Sequence, residues 1–166
     1  MLLYHGSNLI VDKPQLLPQT CGLDFGPGFY LTTSEEQAKR FSEIVFNRKK
    51  NGLAIVNVFN FDIEEAVEKK LATLKFDNAD IEWLRFVTEN RLKTYKGTEY
   101  DIVKGPVAND TVMPTIQLFL NGFLSEEAAI ITLKASKLAD QICIKTEKAL
   151  SLLDFVKSYE TGKGCP

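Results

Sequence analysis

Short runs of alternating β-branched and aromatic residues are interleaved along this chain with stretches in which apolar positions recur every three or four residues. The pattern therefore predicts strands and helices mixed together. Leu2 to His5 reads as a short strand, and Gly28 to Thr33 as a second. The segment between them, Gly6 to Pro27, contains Pro14, Pro18 and Pro27 and resists regular structure. A loop of that length in a compact domain is usually functional. Ser34-Glu35-Glu36-Gln37 has capping-box spacing, and Ala38, Phe41 and Val45 place one apolar stripe on a helix from Glu35 to Phe46. Asn51-Gly52 marks a turn before a strand from Leu53 to Phe61. Asp62 to Phe76 is ambiguous, readable as a helical turn that ends in a short strand from Leu71. Asp77 is placed to cap a helix running to Arg91.

Further along, Tyr100 to Lys104 is a strand. Thr111 to Leu120 is a helix with Pro114 in its first turn, and Ser125-Glu126-Glu127 opens a helix to Ala135. Asp140 to Thr146 is a strand, and Glu147 to Tyr159 is expected to be a final helix. Because the strands and helices do not alternate as βαβ units, the fold class expected is α+β. The 166 residues suit one domain over residues 1–160, with 161–166 a flexible tail.

Composition excludes more than it identifies. A net charge of −2 offers no electrostatic footprint for generic nucleic-acid binding. No apolar run reaches membrane-spanning length and the chain opens without a secretory leader, which leads to the expectation of a cytoplasmic protein with no membrane partner. Three scattered cysteines, Cys21, Cys143 and Cys165, fit a reducing compartment. A single histidine, His5, rules out a two-histidine acid–base pair and a His-x-x-x-His metal motif. There is no phosphate-binding P-loop, and Gly26-Pro27-Gly28 precedes a strand rather than following one.

The remaining candidate chemistry lies in two clusters, Leu3-Tyr4-His5-Gly6-Ser7 and Phe25-Gly26-Pro27-Gly28-Phe29-Tyr30-Leu31-Thr32, each pairing an aromatic or imidazole ring with glycine. With Ser34 opening a helix that contains Ala38, these clusters resemble the His-Tyr-Glu branch of the ADP-ribosyltransferases, shared by diphtheria toxin and the poly-ADP-ribose polymerases. Together with Tyr100-Asp101-Ile102-Val103-Lys104-Gly105-Pro106-Val107-Ala108-Asn109-Asp110, they resemble more closely a family of small bacterial domains encoded beside a small partner protein, as in toxin–antitoxin pairs.

The resemblance implies a split β-sheet core with flanking helices, NAD as the ADP-ribose donor, no metal, and a small cognate antitoxin as partner. It gives His5 the task of bonding a ribose hydroxyl and Tyr30 that of stacking on nicotinamide. Gly6 and Gly28 would let the backbone approach the ligand, with Ser7 beside them. Gln141 occupies the position of the family's catalytic glutamate, and an amide carries no charge to stabilise a developing cation. That departure points to transfer of one ADP-ribose rather than a polymer. It also keeps open a different class of reading, a catalytically inactive module of the same fold that binds a nucleotide or a protein. Gln141 reads alternatively as an exposed strand glutamine. Asp24 is either a former of the following turn or a contact to the adenosine ribose. Asn109 and Asp110 are candidate substrate-side residues, Asp110 alternatively a helix cap. The acceptor, whether protein, nucleic acid or small molecule, is not legible from the chain.

Overall fold

The computed structural model describes residues 1–18, 22–108, 112–134 and 138–162, and thirteen elements lie among these described residues. Strands β1 (Leu2–Ser7), β3 (Ile55–Phe61) and β7 (Leu153–Glu160) form one antiparallel sheet in the order β1-β3-β7. Strands β2 (Phe29–Leu31), β6 (Asp140–Ile144), β5 (Ile102–Pro106) and β4 (Thr73–Lys75) form the other, in the order β2-β6-β5-β4, with only β4 and β5 parallel. The sheets meet where Tyr4 and Thr32 exchange backbone hydrogen bonds of 2.9 and 3.0 Å. This is the α+β architecture expected from the pattern.

Strand alternation sorts the side chains into layers. Leu3, Phe59 and Phe61 from the first sheet pack with Phe29, Leu31, Ile102, Ile142 and Ile144 from the second, so this core lies between the sheets. The opposite face of the first sheet, with Tyr4, Val56, Val58 and Tyr159, is covered by Ala38 of helix α1 (Glu35–Lys49). The opposite face of the second sheet carries Val103 and Cys143 beneath α3 (Ile81–Arg91), α4 (Met113–Leu120) and α5 (Glu126–Lys134). Trp83 is fully buried there, and its indole N–H donates to Pro106 O at 3.0 Å, the core role its position suggests.

Local chemistry explains most of the boundaries. Ser34 accepts from Gln37 N and starts α1, but the Gln37 side-chain oxygen is buried without a partner, so only half of the expected capping box forms. The ambiguous segment resolves into both of its readings, a helix α2 (Ile63–Glu68) capped by Asp62 and then β4. The third helix is capped by Asp80, whose carboxylate accepts from Trp83 N at 2.9 Å, and not by Asp77, which pairs with Lys75 at 2.6 Å. The expected strand from Tyr100 begins at Ile102.

The expected final helix from Glu147 to Tyr159 is a correction. Thr146 caps a single turn, α6 (Glu147–Leu150), after which the chain extends as β7 along β3. A bulge explains why alternation did not reveal this strand. Phe155 lies opposite Phe59, yet Lys157 lies opposite Val58, so an extra residue in β7 moves the chain from one face parity to the other. Tyr159 consequently packs with Val56 on the helix side, while Phe155 meets Phe59 edge-on at 5.8 Å on the core side.

Phe59 is fully buried and touches aromatic neighbours from both sheets, Phe29 and Phe155. Phe59→Ala is expected to cost about 3–5 kcal/mol in equilibrium denaturation, because its cavity lies between two sheets that cannot collapse together. A loss below about 1 kcal/mol would mean that this layer does not hold the sheets together.

Candidate functional site

β1 and β2 begin to pair and then part. The rung at Tyr4 and Thr32 fixes the antiparallel register, which makes Gly6 and Tyr30 the next pair due to exchange hydrogen bonds. They do not. Instead His5 Nδ1 lies 2.7 Å from Tyr30 O and takes the place of that rung. Tyr4 directs its N–H and C=O toward β2, and alternation directs those of Gly6 the same way, into the opening between the strands and away from β3. A side chain at Gly6 is impossible, since a Cβ there would lie 2.2 Å from Ala38 O of α1.

The bond to Tyr30 also sets the chemical state of His5. A carbonyl only accepts, so Nδ1 carries the hydrogen and donates it, and Nε2 of the neutral ring is an acceptor. The ring stacks on Phe29, with centroids 4.5 Å apart. Burial lowers the imidazole pKa below 6.5, and the bond to Tyr30 only partly opposes this. Behind His5, the buried Asn57 holds the adjoining loop, accepting from Val11 N at 2.8 Å and donating to Leu9 O at 3.2 Å. Ser7 Oγ accepts from Leu9 N at 3.3 Å and so shapes the same loop.

On the other side of the β2 backbone lies a second cluster. Phe29 and Leu31 belong to the core between the sheets, whereas the Tyr30 ring packs against the helix-side core. Its hydroxyl donates to Gly26 O at 2.6 Å and accepts from Phe25 N at 3.0 Å. Lys145 Nζ donates to Phe25 O and to Pro27 O, closing the turn from the other side. Gly26 needs its positive φ of 76° to make that turn. Gly28 is dictated by packing, since a Cβ would lie 2.4 Å from Cys143 Sγ. Burial raises the Tyr30 phenol, raises the Cys143 thiol to about 11 and lowers the Lys145 ammonium. The thiol is therefore protonated at neutral pH and no nucleophile.

Gln141 is on the same face of β6 as Cys143, which pairs with Tyr30. It is 7% exposed, which removes the reading of a plain surface glutamine, and its Nε2 donates to Asp24 Oδ2 at 2.8 Å. Asp24, also buried, accepts from Ala108 N at 3.1 Å on the same oxygen, while Arg91 donates to Oδ1 through Nε at 2.7 Å and through Nη2. The carboxylate thus joins four segments, while the Asp24 backbone lies in the turn that Gly26 N closes on Leu23 O at 3.1 Å. Asn109 and Asp110 lie outside the described residues, and α4 is preceded by Val112 as its N-cap, with no side-chain capping bond.

His5 and Gly6 are thus brought to the opening between the strands, and Tyr30, Asp24 and Gln141 to the helix-side face, with Tyr30 contributing its carbonyl to one and its ring to the other. The stacking role expected for Tyr30 is not the one this geometry favours, because the ring faces the core and its hydroxyl is engaged. Arg91, Asn57 and Lys145 belong to the site and were missed from sequence. Their partners are remote, 67 positions away for Arg91 and Asp24, 46 for Asn57 and Val11. An apolar groove of about 430 Å³ lined by Phe61, Ala66, Leu71 and Ile142 shares none of the candidate residues. No described helix is long and apolar enough to cross a membrane.

Residues 1–155 match the family described as protein of unknown function (DUF3990), and the chain belongs to that family. No curated protein and no solved structure matches the chain.

Because His5 is the only histidine, its ring titration is readable without assignment. Its folded pKa lies below the unfolded value, so the stability it contributes is complete above 6.5 and is lost as pH falls through the folded value. Proton NMR should place the midpoint below 6.5; a value at or above it would contradict the buried neutral ring. Tyr30→Phe removes the partner of Gly26 O and Phe25 N together. It should cost about 1–3 kcal/mol and loosen the turn, seen as faster amide exchange at Phe25.

Proposed function

We propose that this member of the family is an NAD-dependent ADP-ribosyltransferase that transfers one ADP-ribose group per acceptor site. The observation that supports this most is the parting of β1 from β2 at the rung that Gly6 and Tyr30 would have made. It leaves a backbone N–H and C=O of one residue side by side at an opening, the donor and acceptor that a primary carboxamide such as that of nicotinamide requires. The neighbouring residue, a neutral His5 with Nδ1 engaged, offers Nε2 as an acceptor suited to a ribose hydroxyl. The pair fits the nicotinamide-ribose end of NAD in chemical kind.

Cleaving the bond between nicotinamide and ribose develops oxocarbenium character on the sugar. Nicotinamide leaves readily, so the chain has to hold and orient more than it has to move protons. Gly6 binds the carboxamide, His5 fixes the ribose, and the Tyr30 carbonyl keeps the imidazole in the tautomer that leaves Nε2 an acceptor. The Tyr30 hydroxyl and Lys145 hold the Phe25-Gly26-Pro27-Gly28 turn against this strand. Gln141 contributes an amide where the likeness leads one to look for a carboxylate. An amide serves poorly to activate a ribose hydroxyl for chain extension, which favours a single addition. A cytoplasmic toxin restrained by a small cognate antitoxin is the biological setting that this activity and the sequence likeness together suggest.

Purified protein incubated with NAD should release nicotinamide and add one discrete ADP-ribose mass per acceptor site in a bacterial lysate. His5→Ala should lower that release by about tenfold or more while remaining folded, the equivalent of one lost hydrogen bond to the ribose. Expression of the wild type should slow bacterial growth and that of His5→Ala should not. NAD left intact by the wild-type protein, with growth unaffected, would instead favour an inactive module that only binds.

A further inference from the structure

We propose that Asp24 is the positioning residue of Gln141: its buried carboxylate dictates which end of the Gln141 amide faces away from it, so the site's negative charge lies at position 24 and is relayed through a neutral amide. The functional part of this proposal rests on the transferase reading, whereas the pairing does not.

An ionised carboxylate accepts hydrogen bonds and donates none. Asp24 Oδ2 lies 2.8 Å from the Gln141 side-chain nitrogen, so the amide is held NH₂-inward and Oε1 is the end left for other partners. The orientation follows from chemistry, because the flipped amide would bring two acceptors together. Every other contact fixes Asp24 in turn. Arg91 donates to Oδ1, Ala108 N donates to Oδ2 at 3.1 Å, and both oxygens are thereby engaged in a residue 7% exposed. Arg91 is charged, so the carboxylate is balanced on the side away from Gln141. An amide whose N–H donates to a carboxylate is polarised, its carbonyl oxygen becoming a better acceptor. Gln141 so held gives a ribose hydroxyl a directed acceptor, and the charge that a glutamate would carry sits one hydrogen bond behind it.

The arrangement also explains why a glutamate is not accommodated here. Gln141→Glu would press two carboxylates together in a buried site where neither reaches bulk water. The introduced carboxyl would remain protonated above the ordinary carboxylate range, so its destabilising effect is absent below that range, grows as pH rises from there to the raised value, and is constant above it. The swapped pair Asp24→Asn with Gln141→Glu restores one amide against one carboxylate.

Thermal denaturation of the wild type, Gln141→Glu, Asp24→Asn and the swapped double variant, without any nucleotide, tests the pairing. Gln141→Glu should lose about 5–10 °C in Tm near pH 8 and far less near pH 5, and adding Asp24→Asn should recover most of that loss. Equal Tm for Gln141→Glu and wild type across pH would overturn the proposal, as would a double variant less stable than either single one. If Gln141→Glu does not fold, recovery of folding by Asp24→Asn supports the pair and its absence refutes it. In nicotinamide release from NAD, Gln141→Glu should lose kcat by about tenfold with KM little changed, and the swapped pair should regain part of it. A swapped pair that recovers Tm but no kcat would overturn the relay. Absence of nicotinamide release from the wild type would remove the transferase reading and leave the Tm result standing.

Discussion

Asp24 is a carboxylate removed from water near the end of a long irregular segment, and burying a charge is tolerable only when hydrogen bonds and an opposite charge replace the water. Its four contacts come from the end of α3, from the chain just beyond β5 and from β6, three places that meet on this one carboxylate. Such a pair is weak evidence for net stability, since desolvation offsets its attraction. Breaking it is another matter, because a buried charge left alone costs about 3–5 kcal/mol. Asp24 therefore acts as a constraint on geometry: the loop can end in only one place relative to α3 and β6. The Phe25-Gly26-Pro27-Gly28 turn follows directly, already placed when Tyr30 and Lys145 close it.

The second constraint is the rung that β1 and β2 fail to make. Antiparallel strands in register normally continue pairing, because each unpaired buried amide or carbonyl is costly. Here the His5 ring supplies the donor that Tyr30 O would have taken from Gly6. One acceptor is satisfied, and the cost of the missing rung is concentrated on Gly6 at the edge of the opening. The stacking of His5 on Phe29 and the tether from Asn57 hold the wedge in place. Binding groups and fold defect are thus the same atoms, as expected where a site is built by interrupting regular structure.

Much of the fold was legible because local rules and tertiary packing agreed. Ser34 caps the helix that its spacing announces, and the apolar runs of β3 and β6 lie where burial demands. Disagreement arose where a long-range partner overrode the local signal. Glu147 to Tyr159 has helical composition, but β3 is buried on both faces and needs a neighbour on the edge that β1 does not occupy. The bulge opposite Val58 and Phe59 hid the alternation that would have shown it. At the site, His5, Tyr30 and Gln141 could be picked out through a likeness of motifs, whereas Arg91 sits in a helical pattern with nothing to mark it. Asp24 was noticed as a turn former or a ribose contact, but its protein partners are distant in sequence and nothing local marks them.

The glycines show why motif reading and physical reading must be kept apart. Gly6 and Gly28 both flank candidate residues, and both suggest a backbone cleared for a ligand. Each is required by the protein itself, Gly6 by the approach of α1 and Gly28 by Cys143 and Ile144 of the neighbouring strand. For Gly28 that packing is a sufficient explanation. Gly6 differs in one respect: its Cβ direction is filled by the helix while its N–H and C=O point into the opening, at right angles to the packing. Replacing it would disturb α1 whether or not a ligand binds, so a Gly6 variant cannot report on function. His5 supports no helix, yet its ring bonds Tyr30 O and stacks on Phe29, so a His5 variant separates site from scaffold only when its stability is measured beside its activity.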